Sequence, residues 1–279
     1  MDASPEISLI LPPDQPPERF VPVARAAERA GVAELWVWED CFGQSGTSTA
    51  AAVLAATEHL RVGLGLMPVP LRNVALTAME MATIARMFPG RFLPGIGHGV
   101  LDWMGQAGVR AASPLTLLRE QATALRALLA GDEVSVSGTY VQLDRVRLRW
   151  PADPVPPLLI GGGRPKTLAL AGELGDGVLL AGDMGAGDPQ QTTREAVATI
   201  AAARAAAGVS GAFDVVQFAE VAADASADEV RSVTDTFGAA GATSVPLLAL
   251  DAQGRPDAGD GILQLAATIG ALTAERPRS

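Results

Sequence analysis

The sequence predicts an α/β protein: a (β/α)8 TIM barrel with a short β-hairpin inserted before strand five. Three observations carry this prediction. Short, solidly apolar runs recur at 7–11, 34–38, 60–66, 91–96, 157–160, 177–181, 213–221 and 244–250, the pattern of parallel strands buried on both faces. Amphipathic, Ala-rich segments with a helical period lie between them, at 18–30, 47–58, 74–87, 114–129, 165–174, 190–207, 227–240 and 262–272. Several close on glycine (Gly31, Gly131, Gly175, Gly208, Gly241), which readily adopts the left-handed backbone that ends a helix. Strand–helix pairs repeated in this order give the barrel, with a doubly wound sheet as the alternative.

Each element has a local reason. Strand two, ELWVW, is entirely apolar after its first residue and ends on Glu39-Asp40-Cys41. Strand three, LRVGLGL, leads into Met67 and a Pro-containing turn. Strand four runs from Arg91 into glycines at alternate positions, Gly95, Gly97 and Gly99, around His98. Glycine lets the backbone approach a neighbour closely, so this stretch predicts main chain lying against a flat or phosphorylated ligand. The loop that follows, through Trp103 and Met104, is expected to line a pocket. Segment 134–150 alternates with period two around Ser137-Gly138 and is expected to be the hairpin. Strand five ends in Gly161-Gly162-Gly163-Arg164-Pro165-Lys166-Thr167. There the freed amides, the start of a helix and two cations suit a phosphate.

Composition sets limits. The 279 residues, 48% hydrophobic, suffice for one large core, and 1–279 reads as a single barrel domain. No apolar run is long enough to cross a membrane, and the first residues lack the pattern of a secretory signal. Cys41 is the lone cysteine, which fits a reducing, cytoplasmic setting. A formal charge of −10 argues against nucleic acid or an anionic membrane as partner, so an anionic ligand needs local cations. The two histidines, His59 and His98, are far apart and suggest no metal site. Asp40 is a candidate for hydrogen bonding a ring N–H. His98 is a candidate acid/base, because histidine titrates near neutrality. Trp36 and Trp38 are expected to pack inside the barrel.

The segments AARAAERAGVAELWVWED, LRVGLGLMPVPLRNVALTAMEMATIARMFPGRF, LPGIGHG and LLIGGGRPKTLALAGELGDGVLLAG resemble the bacterial luciferase-like monooxygenase superfamily, in particular its branch dependent on the deazaflavin coenzyme F420. The resemblance covers the chain up to about residue 182. It implies that a cofactor lies across the top of the barrel, contacted by Asp40 and Cys41. It also implies a non-prolyl cis peptide within Gly65, Leu66 and Met67, cofactor-lining His98 and Gly99, and a phosphate site at Gly163, Arg164, Lys166 and Thr167. Val100, Trp103 and Met104 would face the substrate. Cys41 and Val100 stand where some relatives carry a histidine and a glutamate, which argues against sugar-phosphate dehydrogenase chemistry and leaves His98 or water as the proton donor. The implied activity is hydride transfer between the deazaflavin and a small, fairly apolar molecule, with Arg72, Arg164 and Lys166 receiving an anionic tail. The alternatives are an FMN-dependent monooxygenase fed by a separate reductase and a non-catalytic flavin-binding barrel. A homodimer is expected, with helices 47–58 and 74–87 as the packing face.

Overall fold

A computed structural model describes residues 4–181, 188–257 and 259–275. In chain order its elements are β1 (Glu6–Leu11), α1 (Phe20–Ala30), β2 (Glu34–Val37), α2 (Gly46–Ala56), β3 (Arg61–Pro68), α3 (Val74–Met87), β4 (Phe92–Gly97), α4 (Leu101–Gln106) and α5 (Pro114–Leu129). Then follow β5 (Val134–Ser137), β6 (Gln142–Val146), β7 (Leu159–Gly161), α6 (Pro165–Leu174), β8 (Gly177–Leu180), α7 (Pro189–Ala207), β9 (Asp214–Gln217), β10 (Ala219–Ala222), α8 (Ala227–Gly238), β11 (Ser244–Leu250) and α9 (Gly261–Ala274).

The strands β1-β2-β3-β4-β7-β8-β9-β11 are parallel neighbours, and β1 pairs with β11 to close the barrel. The doubly wound alternative is therefore excluded. The seventh barrel strand, expected as one run over 213–221, is two pieces, β9 and β10, separated at Phe218. The ring of Phe218 turns into the barrel and meets Trp36 edge-on at 5.5 Å and Trp38 at 5.8 Å. The hairpin β5–β6 is antiparallel. The Glu120 carboxylate on α5 accepts N–H bonds from Thr139, Tyr140 and Val141 at 2.8–2.9 Å, so the helix holds the hairpin tip.

Strand alternation divides the core in two. Leu9, Leu35, Val178, Leu247 and their equivalents face the helices. Ile10, Trp36, Leu159, Leu179, Val216, Phe218 and Leu248 fill the barrel interior. On β3 and β4 Gly63, Gly65, Gly95 and Gly97 take inward positions beside Leu66 and Leu93, and large side chains from other strands occupy the room at the glycines. A Cβ on Gly63 would strike the Trp36 ring, and one on Gly95 would strike Leu179. This corrects the expectation for the alternate glycines of strand four: Gly95 and Gly97 accommodate the barrel's own side chains. The segment after β4 is also not an open loop, since it contains α4.

Candidate active site

The C-terminal ends of barrel strands are where such folds gather chemistry, and most of the predicted residues lie there. Asp40 and Cys41 follow β2. Asp40 is half-buried, and burial followed by the charge of Asp14 pushes its carboxyl above the ordinary range. The Cys41 thiol is likewise pushed up, by burial and then by Glu39 and Asp40, with Arg72 opposing them, so it is not an activated nucleophile. The Cys41–Phe42 peptide is cis, and Phe42 is 68% exposed. The sequence reading passed over Phe42, although an apolar residue just beyond a strand end was the available signal.

On β3 the Gly65–Leu66 peptide is cis, at the place the resemblance implied. The ladder with β4 shifts register between Leu64 and Met67, so the strand bulges there. The Leu66 side chain lies over β4 and β7, where a Cβ on Gly97 would come within 2.5 Å of it. The side chain of Met67 is fully buried among the helix-facing residues; any ligand contact at this position falls to its backbone.

His98 leaves β4 with its Nε2 3.1 Å from the Thr167 hydroxyl on α6. This bond joins the β4 exit to the start of α6. Burial lowers the His98 pKa, with the nearby backbone carbonyl of Pro114 opposing the shift, which favours the neutral ring at pH 7. Gly99 has φ +67°, and a Cβ there would also press on Pro68 and on Met104. Met104 is only 1% exposed: it supports Gly99 and does not line an open pocket, which corrects that expectation. Trp103 is half-buried on α4, and Val100 is exposed at its start.

At Gly161–Thr167, the strand-to-helix turn exposes Gly163, Arg164 and Lys166. A side chain on Gly163 would meet only open space. Arg164 is the extended N-cap residue of α6, with Pro165 following and no side-chain cap. Among the described residues Arg164 and Lys166 make no ion pair, and both stand at the positive end of the helix dipole. Arg72 is different. Its guanidinium grips Glu39 with both terminal nitrogens and reaches Glu80 Oε2 at 3.2 Å, and its side chain is 12% exposed. Its donors are committed, so it does not receive an anionic tail as expected. Asp183 follows the apolar run at 177–181, which would place it at the end of strand six; it lies outside the described residues.

A ring-shaped, hydrogen-bonding ligand can be tested against these residues. Of six buried polar side-chain atoms without partners among the described residues, four lie in segments leaving the C-terminal ends of β1, β2 and β4 (Gln15 Oε1, Trp38 Nε1, Gln44 Nε2 and His98 Nδ1), and two, Ser8 Oγ and Gln121 Oε1, lie elsewhere. Buried polar groups are nearly always paired, so this concentration fits a polar ligand at the barrel mouth. Beside it, the α6 start fits a phosphate. A separate cleft of about 340 Å³ between β3, α5 and the hairpin is lined by Val69, Asn73, Arg110, Gln121 and Tyr140 among others; no predicted site residue other than Arg72 borders it. Among the described residues no cluster of three or more His, Cys, Asp or Glu side chains is arranged to hold a metal, and no helix is long and apolar enough to cross a membrane.

Comparison with known proteins agrees with this fold. The chain is 30% identical over 209 residues to a 5,10-methylenetetrahydromethanopterin reductase of Archaeoglobus fulgidus, covering 75% of this chain and 61% of that one. It is 31% identical over 185 residues to an F420-dependent glucose-6-phosphate dehydrogenase of Gordonia bronchialis, covering 61% and 54%. The alignments thus span between half and three-fifths of the curated relatives' lengths. In fold, an F420-dependent secondary alcohol dehydrogenase solved with an F420–acetone adduct superposes with a TM-score of 0.83, at 19% identity and over 97% of this chain and 99% of that one. The sequence pattern of the luciferase-like monooxygenases matches residues 3–274, and the chain belongs to that family.

Proposed function

We propose that this protein is a deazaflavin (F420)-dependent oxidoreductase that acts on a small, fairly apolar organic substrate. One observation carries the reading: the His98–Thr167 bond at 3.1 Å makes the β4 exit and the basic start of α6 one continuous wall. A ligand with a flat polar ring and a phosphate tail needs such an adjacency. The F420-dependent relatives support the choice of deazaflavin.

Bound there, the cofactor would supply two-electron hydride chemistry, while the protein positions it and excludes side reactions. The chain's own contributions follow from the site. The Gly65–Leu66 bulge and Leu66 would back the ring, and Asp40 and Cys41 would border it. Gly99 would let the backbone close on it, while Gly163, Arg164, Lys166 and Thr167 would hold the phosphate by amides and charge. Val100, Phe42 and Trp103 would present an apolar rim to the substrate. The neutral His98 would act as a hydrogen-bonding wall residue, which leaves water as the proton source.

Titration with F420 and with FMN tests the reading. Micromolar or tighter F420 binding is expected, weakened by about 1–3 kcal/mol in Arg164→Ala. FMN binding without measurable F420 affinity would replace the proposal with a flavin monooxygenase. Substrate-independent binding, with no oxidation of reduced cofactor by any enone, imine or ketone offered, would leave a non-catalytic barrel. The same reading places the protein in the cytoplasm as a homodimer. Leu76, Met79 and Met87 expose an apolar stripe on α3 for a second copy, which sedimentation would register as twice the 28.6 kDa chain mass.

A further inference from the structure

The segment 39–46, which carries Asp40, Cys41 and Phe42, is held from outside the barrel by ionic contacts. Glu39 Oε2 accepts the Gly46 N–H at 2.6 Å and an Arg72 Nη2–H at 2.9 Å. Arg72 Nη1 donates to Glu39 Oε1. The Arg72 Nε–H goes to Glu80 Oε2 at 3.2 Å, and the Thr47 hydroxyl reaches Glu80 Oε1 at 3.5 Å. The Arg72 carbonyl in turn accepts from Gln121 Nε2 at 3.0 Å. Both ends of the segment, residues 39 and 46, therefore close on one carboxylate, and that carboxylate is gripped by one arginine. A Cβ on Gly46 would strike Leu64 Cδ1 at 2.4 Å and crowd Glu39 Oε2 at 3.0 Å. The clamp is buried and bidentate, the geometry in which an arginine cannot be exchanged for lysine without loss.

We propose that Arg72 is a positioning residue: through Glu39 it fixes the 39–46 segment, with Asp40, Cys41 and Phe42, at the barrel mouth. It touches neither cofactor nor substrate. The assignment rests on the proposed function only for what the segment faces; the clamp itself stands on the contacts above. The charged groups acting on Cys41 are Glu39 and Asp40 from its own segment and Arg72 from the turn after β3. Asp14, from the segment after β1, acts on Asp40.

Cys41 is the single thiol of the chain, so it reports on the segment without any cofactor. The experiment measures the pH midpoint of Cys41 alkylation by iodoacetamide in the ligand-free protein, and the F420 dissociation constant, for the wild type, Arg72→Met and Arg72→Lys. In Arg72→Met the midpoint is expected to move up, because the one opposing cation is gone, and F420 binding to weaken about tenfold, the scale of a coupling through one connecting residue. Arg72→Lys should return the midpoint toward wild type while cofactor binding stays at least threefold weaker, because the charge is kept and the fork is lost. An unmoved midpoint with unchanged affinity in Arg72→Met overturns the proposal, even if its melting temperature falls. Should Arg72→Met fail to fold, Arg72→Lys decides alone: wild-type affinity overturns the proposal. If the wild type does not bind F420, the functional reading fails, and the thiol midpoint still decides the role of Arg72.

Discussion

Two tryptophans on one strand exit, two residues apart, have opposite surroundings. Trp36, on β2, is fully buried and donates its indole N–H to Glu34 Oε1 at 2.7 Å. Glu34 also meets Arg61 at 2.8 Å and the Ser244 hydroxyl at 3.3 Å. Although burial raises the Glu34 pKa, its oxygens are shared among three donors. Trp38, just past β2, packs on Phe218, and its buried N–H has no partner. Around Trp36 the indole donor is thus met as folded, whereas at the mouth the Trp38 donor is not, although the lower layer also holds one unpaired group, the Ser8 hydroxyl on β1. Barrels commonly place stability at the N-terminal face of the strands and chemistry at the other, and here the division runs between adjacent inward-facing residues.

Mutations can break that contrast or sharpen it. The largest effect is expected from Trp36→Ala, which empties the space beside Gly63 and removes one of the three donors to Glu34. Urea denaturation should show a loss of about 3–5 kcal/mol, and a stability within error of wild type would refute the assignment of Trp36 to the structural layer. Next is Arg164→Ala: fluorescence titration should show cofactor binding weaker by about 1–3 kcal/mol, with the urea midpoint unmoved because the side chain is exposed. Trp38→Phe should lie within about 1 kcal/mol of wild type in stability, since it deletes a donor that has no partner, while cofactor or substrate affinity drops several-fold. If Trp38→Phe is instead as destabilising as Trp36→Ala, the distinction between the two layers disappears.

The smallest effect concerns Asp40 and has a definite sign. Its carboxyl is pushed above 3.8 in the folded protein, so the unfolded chain ionises first as pH rises. Folding stability is therefore lost as pH climbs through the ordinary carboxylate range, and the loss is complete above the raised value. Asp40→Asn should accordingly be slightly more stable than wild type at pH 7 and equal to it at pH 3, measured by urea midpoints, while binding cofactor less well. Equal stability at both pH values would mean that the Asp40 carboxylate meets no penalty in the fold.

Much of the fold was legible because its signals are local. Apolar runs of strand length, helical stripes and terminal glycines mark the alternation, and the Ser137-Gly138 turn marks the hairpin. The break at Phe218 was not legible: a continuous apolar run looks the same whether or not one side chain turns inward to meet two tryptophans. The candidate site divides in the same way. Gly161–Thr167 reads directly because loop, helix start and cations are contiguous. Arg72 misled, because its isolated charge resembles a ligand contact until Glu39 and Glu80 are brought to it across 33 and 8 residues of sequence. Met104 misled because a loop position contains no information about burial.

Fold class, the order of strands and helices, the anion-suited turn at α6 and the position of the bulge on β3 were readable along the chain. All of these depend on residues close together in the chain or on a motif carried by a family. Only the tertiary structure decided which glycines make room for Trp36, Leu179 and Leu66, which arginine is committed to a clamp, and which buried N–H groups lack a partner. The physical reason is that packing space and hydrogen-bond satisfaction are properties of groups meeting across the barrel, and those meetings exist only once β1 has closed on β11.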